Sequence, residues 1–302
     1  MSEITYRDRA TGEIRKEKVY GKFFLEALYG SSLFAKFCST FFLPIISHIP
    51  FFSTYYGLKQ KAPKSRIKII PFIRDFKVDV GEFADPVESF KSFNDFFIRK
   101  LKPEARPIDP DKKSAVLPAD GRYLVFPDVS EAEGFYVKDK KFDLRRLLDD
   151  EFSFEIFKRG SMVIARLCPT DYHRFHFPCA CIPGKPKLIN GPLFSVNPIA
   201  LRKHISILNE NKRVITLLDG GPFGQIGYIE IGATCVGSIR QTFTPSELCS
   251  KGSEKGYFEF GGSCLILLFQ PNRIQFDQDL IEASAESIET YAKMGTSLGQ
   301  CK

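Results

Sequence analysis

Between residues 114 and 270 the chain is written in short apolar runs of strand length: AVL at 115–117, YLVF at 123–126, MVIARL at 162–167, VITLL at 214–218, IGYIEI at 226–231 and CLILLF at 264–269. The segments between them, among them PADG, PDVSEAEG, IPGKP, LDGGPFG and FTPSE, are rich in the Gly, Pro, Asp and Ser of turns. This pattern predicts a predominantly β body. Helix is predicted on either side of it. In ADPVESFKSFNDFFIRKL, Asp85 suits an N-cap, Pro86 the first helical position and Glu88 a capping box, with Phe90, Phe93 and Phe97 on one core-facing side. In FDQDLIEASAESIETYAKMG a second helix is expected to run to a C-cap at Gly295.

A different pattern fills the N-terminal part. From Phe37 to Leu58 no charge interrupts FCSTFFLPIISHIPFFSTYYGL, a length that spans a bilayer, but Pro44, Pro50 and several hydroxyl and imidazole side chains disfavour one straight spanning helix. Lys36 precedes the run, and Lys59, Lys61, Lys64, Arg66 and Lys68 follow it. An aromatic surface flanked by cations suits a helical pair lying in a membrane interface. A helical pair packed on the protein's own core is the alternative. The expected organisation is α+β, predominantly β: a membrane-associating helical segment over 1–72, then a β-rich catalytic domain over 73–302.

Charge sharpens this division. Residues 1–70 carry twelve Lys and Arg against five Asp and Glu, which equals the formal charge of +7 for all 302 residues. The basic excess therefore belongs to the aromatic segment, and it points to an anionic membrane surface and not to nucleic acid. Eight cysteines without a C-x-x-C pair read as scattered reduced thiols, and the charged start MSEITYRDRATGEIRKEK has no apolar signal-peptide region. Both suggest a cytosolic face.

The candidate chemistry centres on FEFGGSCLILLF at 258–269, where Gly261, Gly262 and Ser263 interrupt a buried strand. Glycine there marks a bulge or a close backbone approach, and the hydroxyl that follows raises the prospect that backbone itself reacts. His173 and His176 stand together in CPTDYHRFHFP. They suit a metal half-site, polar packing or acid/base work, and spacing leaves all three open. Asp120 in LPADGRY reads as a turn residue or as the acid of a Ser263, His176 and Asp120 set.

Seven stretches in order, FNDFFIRKLKPEARPID, LPADG, PTDYHRFHFP, GPLFSVNP, NKRVITLLD, IGATCVGSI and KGSEKGYFEFGGS, resemble the phosphatidylserine decarboxylase proenzymes, a family whose members make their own pyruvoyl cofactor. Gly261 stands where many members have leucine, and Cys264 where Thr or Ser is usual. The resemblance implies a charge relay of Asp120, His176 and Ser263 that cuts the chain between Gly262 and Ser263. A β chain (1–262) and an α chain (263–302) would remain together as a heterodimer, with further oligomerisation open. Ser263 would become a covalent pyruvoyl group that forms a Schiff base with phosphatidylserine, and His173 would assist proton transfer during decarboxylation. No metal is implied. The expected location is peripheral, on the cytoplasmic face of the cell membrane. A serine hydrolase using the same three residues lacks the G-x-S-x-G elbow. A non-enzymatic lipid-binding module leaves the ordered motifs of the β body without a role.

Overall fold

The computed structural model describes residues 4–30, 32–48, 50–129, 143–201, 206–233, 238–261 and 263–302. Gly262, half of the expected cleavage site, lies outside the described residues, as do parts of PDVSEAEG and IGATCVGSI.

The described strands are β1 (Thr5–Asp8), β2 (Ile14–Lys16), β3 (Ser114–Val116), β4 (Gly121–Phe126), β5 (Ser161–Leu167) and β6 (Arg174–His176). They continue as β7 (Ile182–Pro183), β8 (Lys187–Ile189), β9 (Arg213–Asp219), β10 (Gln225–Gly232) and β11 (Ile239–Gln241). The last are β12 (Glu254–Phe258), β13 (Ser263–Phe269), β14 (Ile274–Phe276), β15 (Glu289–Ala292) and β16 (Ser297–Cys301). Ten of them form one sheet in the order β2-β1-β15-β4-β5-β13-β10-β9-β7, with β8 also on β9. Two three-stranded sheets, β11-β12-β6 and β14-β16-β3, complete the β-rich α+β fold. Every apolar run of the β body became a strand at or within a residue or two of the expected place.

β13 lies at the middle of the large sheet, antiparallel to β5 on one side and β10 on the other. Its side chains alternate, with Cys264, Ile266 and Leu268 in one core and Leu265, Leu267 and Phe269 in the other. Because both faces are covered, all seven residues are buried, and this is why the run is continuously apolar after its serine.

Both expected flanking helices are shorter than predicted. In place of one helix from Asp85, residues Val87–Ser89 form a single tight turn and the true helix is Phe93–Phe97. Ser92 caps it through the Asp95 N–H at 3.1 Å, while Asp95 reaches back to the Lys91 N–H at 2.9 Å. The capping box therefore starts at Ser92, and Phe90 takes an extended conformation that buries its ring. The three phenylalanines do face a core, as expected. Near the C-terminus the helix stops at Ala285, Ser287 turns the chain with a positive φ, and ETYA becomes β15, paired with both β1 and β4. Sheet pairing overrides helical periodicity there. Gly295 caps no helix. It sits at φ +90° where an added Cβ would come within 2.6 Å of the Pro107 carbonyl.

The N-terminal part supplies β1 and β2 to the large sheet and then three helices, α1 (Lys22–Tyr29), α2 (Leu33–His48) and α3 (Pro50–Lys61). No helix among the described residues is long and apolar enough to cross a membrane. On α2, Ala35, Cys38 and Leu43 turn inward, whereas Leu33, Phe34, Phe37, Phe41 and Phe42 are exposed. After α3 come α4 (Ile69–Phe76) and α5 (Phe93–Phe97), whose rings build a third, largely aromatic core that Phe260 joins.

Candidate active site

The candidate residues are placed by strand pairing. β6 carries His176, and β12 runs antiparallel to it, with Glu254 opposite His176. At the other end of the pair the Phe258 N–H donates to the His173 carbonyl at 3.0 Å. The two histidines thus stand along the strand that leads, through residues 259–262, into Ser263 at the start of β13. The His176 N–H donates to the Pro118 carbonyl at 2.8 Å, which brings the turn bearing Asp120 to the same place.

Three polar atoms here are buried and make no hydrogen bond among the described residues: His173 Nε2, His176 Nδ1 and Ser263 Oγ. Ser263 and His173 have no exposed surface, and His176 is 6% exposed. Buried polar groups in folded proteins are nearly always paired, so three unpaired ones on these segments call for an explanation. His173 Nδ1 lies 3.0 Å from the Asp171 carbonyl and must be the protonated nitrogen, which leaves Nε2 as the base. Burial holds the His173 ring at a pKa of about 3 and the His176 ring at about 4. Glu254 and Asp120 favour charge on His176 but do not overcome its desolvation. Both rings are therefore neutral near pH 7 and able to accept a proton.

Asp120 is held elsewhere than expected. Its carboxylate accepts from Arg106 Nε at 2.8 and 3.1 Å and from the Met294 N–H at 2.9 Å. Arg106 extends the contact to Glu82 at 3.0 Å, and Lys293 closes on the same Glu82 at 2.7 Å. The structure thus brings Asp120 into the electrostatic reach of His176, but no hydrogen bond joins His176 Nδ1 or Ser263 Oγ to another relay member. Tyr172 stacks on the His176 ring with centroids 5.8 Å apart, and Phe97 covers His173 at 4.0 Å.

A buried ion network links residues of β4, β5 and β15 in the large sheet with Glu17 and Asp171. Arg166 binds Glu17 at 2.7 Å and Glu289 at 2.5 Å, and Arg122 binds Glu17 and Asp171. Although burial alone would raise it, the Glu17 carboxyl is held at about 2 by Arg166 and Arg122. Cys264, its thiol pushed up to about 12 by burial, acts as a packing residue. Among the described residues no three His, Cys, Asp or Glu side chains gather as metal ligands.

Sequence reasoning missed Arg106, the Met294 N–H and Asn94, whose Oδ1 accepts from the Phe260 N–H at 2.9 Å. Arg106 and Asn94 lie in FNDFFIRKLKPEARPID, where an arginine and an asparagine carry no distinguishing signal of their own. The Met294 contact is a backbone one and leaves no trace in residue type.

Residues 93–300 match the family model described as phosphatidylserine decarboxylase. The chain is 48% identical over 304 residues to the phosphatidylserine decarboxylase proenzyme of Chlamydia pneumoniae, covering 99% of this chain and 98% of that one. It is 47% identical over 302 residues to the protein of the same name from Chlamydia muridarum, covering 99% and 97%.

Proposed function

The chain belongs to the phosphatidylserine decarboxylase family, and on that premise we propose that it converts phosphatidylserine to phosphatidylethanolamine and carbon dioxide after cutting itself between Gly262 and Ser263. The observation that carries this reading is the set of three buried, unpaired atoms, Ser263 Oγ, His176 Nδ1 and His173 Nε2, along the strand entering the cut. A folded protein keeps such groups unpaired where they react.

In the first reaction His176 takes the hydroxyl proton of Ser263, and Asp120 stabilises the imidazolium that forms. Ser263 Oγ attacks the Gly262 carbonyl, and the amide becomes an ester as the Ser263 nitrogen leaves that carbon. Loss of the Cα proton expels the Gly262 carboxylate and leaves a dehydroalanine at 263. Water then converts it to a pyruvoyl group and ammonia. The residues fit that group: its position is fully buried and fixed between β5 and β10. When present, a pyruvoyl ketone accepts the electron pair left behind as carbon dioxide departs from an amine substrate. His173 serves that second reaction: its unprotonated Nε2 takes up the proton that the substrate's ammonium group sheds and returns it to the carbon that has lost its carboxyl group.

The fragments 1–262 and 263–302 stay together because β13 keeps both its neighbours after the cut. The exposed rings of α2, with the basic residues around α3, seat the enzyme peripherally on the cytoplasmic face of the cell membrane, where a two-chained lipid substrate resides. Intact mass and denaturing electrophoresis test the reading. They should show a large fragment ending at 262 and a small one that is blocked to N-terminal sequencing. A single uncut chain that still forms phosphatidylethanolamine would overturn it.

A further inference from the structure

We propose that Asn94 is a positioning residue for self-cleavage, its Oδ1 holding the Phe260 N–H and thereby fixing the segment that carries the attacked carbonyl. This rests on Ser263 being the nucleophile toward Gly262.

One reactant is held by the sheet. Ser263 lies opposite Gly232 on one side and Leu167 on the other, with β13 paired along its whole length. The other reactant belongs to a glycine, which has no side chain to pack. Only Gly261 and Gly262 separate Phe260 from Ser263, and glycine has the widest backbone freedom of any residue. Phe260 is therefore the last residue before the cut with a side chain to grip.

It is gripped from two directions. Its ring lies 4.9 Å from that of Phe97 and 5.2 Å from that of Phe93, and its N–H donates to Asn94 Oδ1 at 2.9 Å in a buried contact. One residue earlier, Glu259 is fastened to Lys61 at 2.8 Å. Asn94 itself has little room to move. α5 is capped at Ser92, and its Phe93 N–H is anchored on the buried Ser65 hydroxyl at 2.8 Å. The same short helix covers His173 through Phe97, so one element sets the ring of a proton carrier and the approach to the cut.

This matters because an acyl shift requires the oxygen about 3–3.5 Å from the carbonyl carbon, and a displacement of about 1 Å costs on the order of a hundredfold in rate. Two glycines between two fixed ends have few arrangements, whereas two glycines beyond a loose end have many.

The test follows processing of the full chain in cell-free translation by electrophoresis, comparing wild type with Asn94→Leu, which fills the space without an acceptor, and Asn94→Asp, which keeps one. Turnover per pyruvoyl group is measured on the processed fraction, and the urea midpoint on each variant in the uncut Ser263→Ala background. The expected result is cutting at least tenfold slower in Asn94→Leu and within about threefold of wild type in Asn94→Asp, with the loss in cutting at least tenfold larger than any loss in turnover per pyruvoyl. Cutting of Asn94→Leu at the wild-type rate, equal slowing of both variants, or a parallel fall in turnover and urea midpoint would overturn it. Failure of the underlying reading is separately visible, since Ser263→Ala would then still be cut.

Discussion

Arg106 Nε lies 2.8 Å from one oxygen of Asp120 and 3.1 Å from the other, an ion pair whose side chains are 6% and 2% exposed. The proposed relay acid is thus oriented by an arginine fourteen residues upstream and by the Met294 N–H from the far end of the chain. Removing one partner of a buried pair leaves the other charge uncompensated, which costs about 3–5 kcal/mol. Arg106→Gln in the uncut Ser263→Ala chain should lower the urea midpoint accordingly. In the otherwise native chain it should also slow the appearance of the small fragment. Arg106→Lys keeps the charge but not the fork, and should fall between the two.

How much of this was legible beforehand depends on what each feature is made of. The strands of the β body announce themselves because β4, β5, β10 and β13 are buried on both faces and must be apolar throughout. The family's charged and histidine motifs were equally plain. ETYA was not, since its residues suit either a helix end or a strand, and only pairing with β1 and β4 decides. The start at Ser92 competed with an equally good signal at Asp85, and burial of Phe90 settled it. At the candidate site the residue types were readable, but Arg106 holding Asp120 depends on contacts across the fold.

The two histidines should separate on mutation. His176→Ala is expected to leave the chain uncut, because in the proposed relay His176 is the base that takes the Ser263 proton. His173→Ala should still be cut, while carbon dioxide release from phosphatidylserine falls by about 10²–10⁴, the usual worth of a positioned acid or base. Denaturing electrophoresis reads the first effect and trapped carbon dioxide the second. Loss of cutting in His173→Ala alone would reverse the assignment.

Acid should destabilise the fold through the same rings. Burial lowers both from 6.5, His173 to about 3 and His176 to about 4, so the unfolded chain binds their protons first as pH falls. Their contribution is complete above pH 6.5, shrinks as pH drops through the window down to 4, and continues to shrink to about 3 for His173. At one unit below 6.5 the loss from the two together amounts to roughly 3 kcal/mol. Urea midpoints of the Ser263→Ala chain at pH 7.5 and 5.5 should show the fall, and His173→Asn should reduce the slope by about half.

Lys255 and Glu230 form a second buried pair, 2.5 Å apart with no exposed side-chain surface, between β12 and the large sheet. Burial lowers the lysine pKa and raises that of the glutamate, so each opposes the other's cost only while both are present. Lys255→Met alone should destabilise by about 3–5 kcal/mol, whereas Lys255→Met combined with Glu230→Leu should recover most of the loss. A double-mutant cycle on urea midpoints measures this coupling. Additive losses would mean that the pair's surroundings, and not its charges, hold β12.

Membrane binding should depend more on rings than on the basic cluster counted as a whole. Lys61 is engaged by Glu259, Arg66 donates to the Glu88 carbonyl and Lys68 to Gln60, so part of the cationic run works within the protein. Phe34, Phe37 and Phe41 on α2 are 63%, 53% and 57% exposed and offer a contiguous apolar face. At roughly 1 kcal/mol for partial insertion of each ring, replacing all three by serine should weaken co-sedimentation with phosphatidylserine-containing vesicles about a hundredfold. Charge-neutral replacement of the exposed Lys36 and Lys64 should have a smaller effect that disappears at high salt, because a cation near an anionic leaflet is worth only about 1 kcal/mol and is screened within a Debye length. The uncut Ser263→Ala chain should bind as the wild type does. If the triple serine variant binds unchanged while the lysine variant is released, the surface acts by charge alone and the rings of α2 serve another contact.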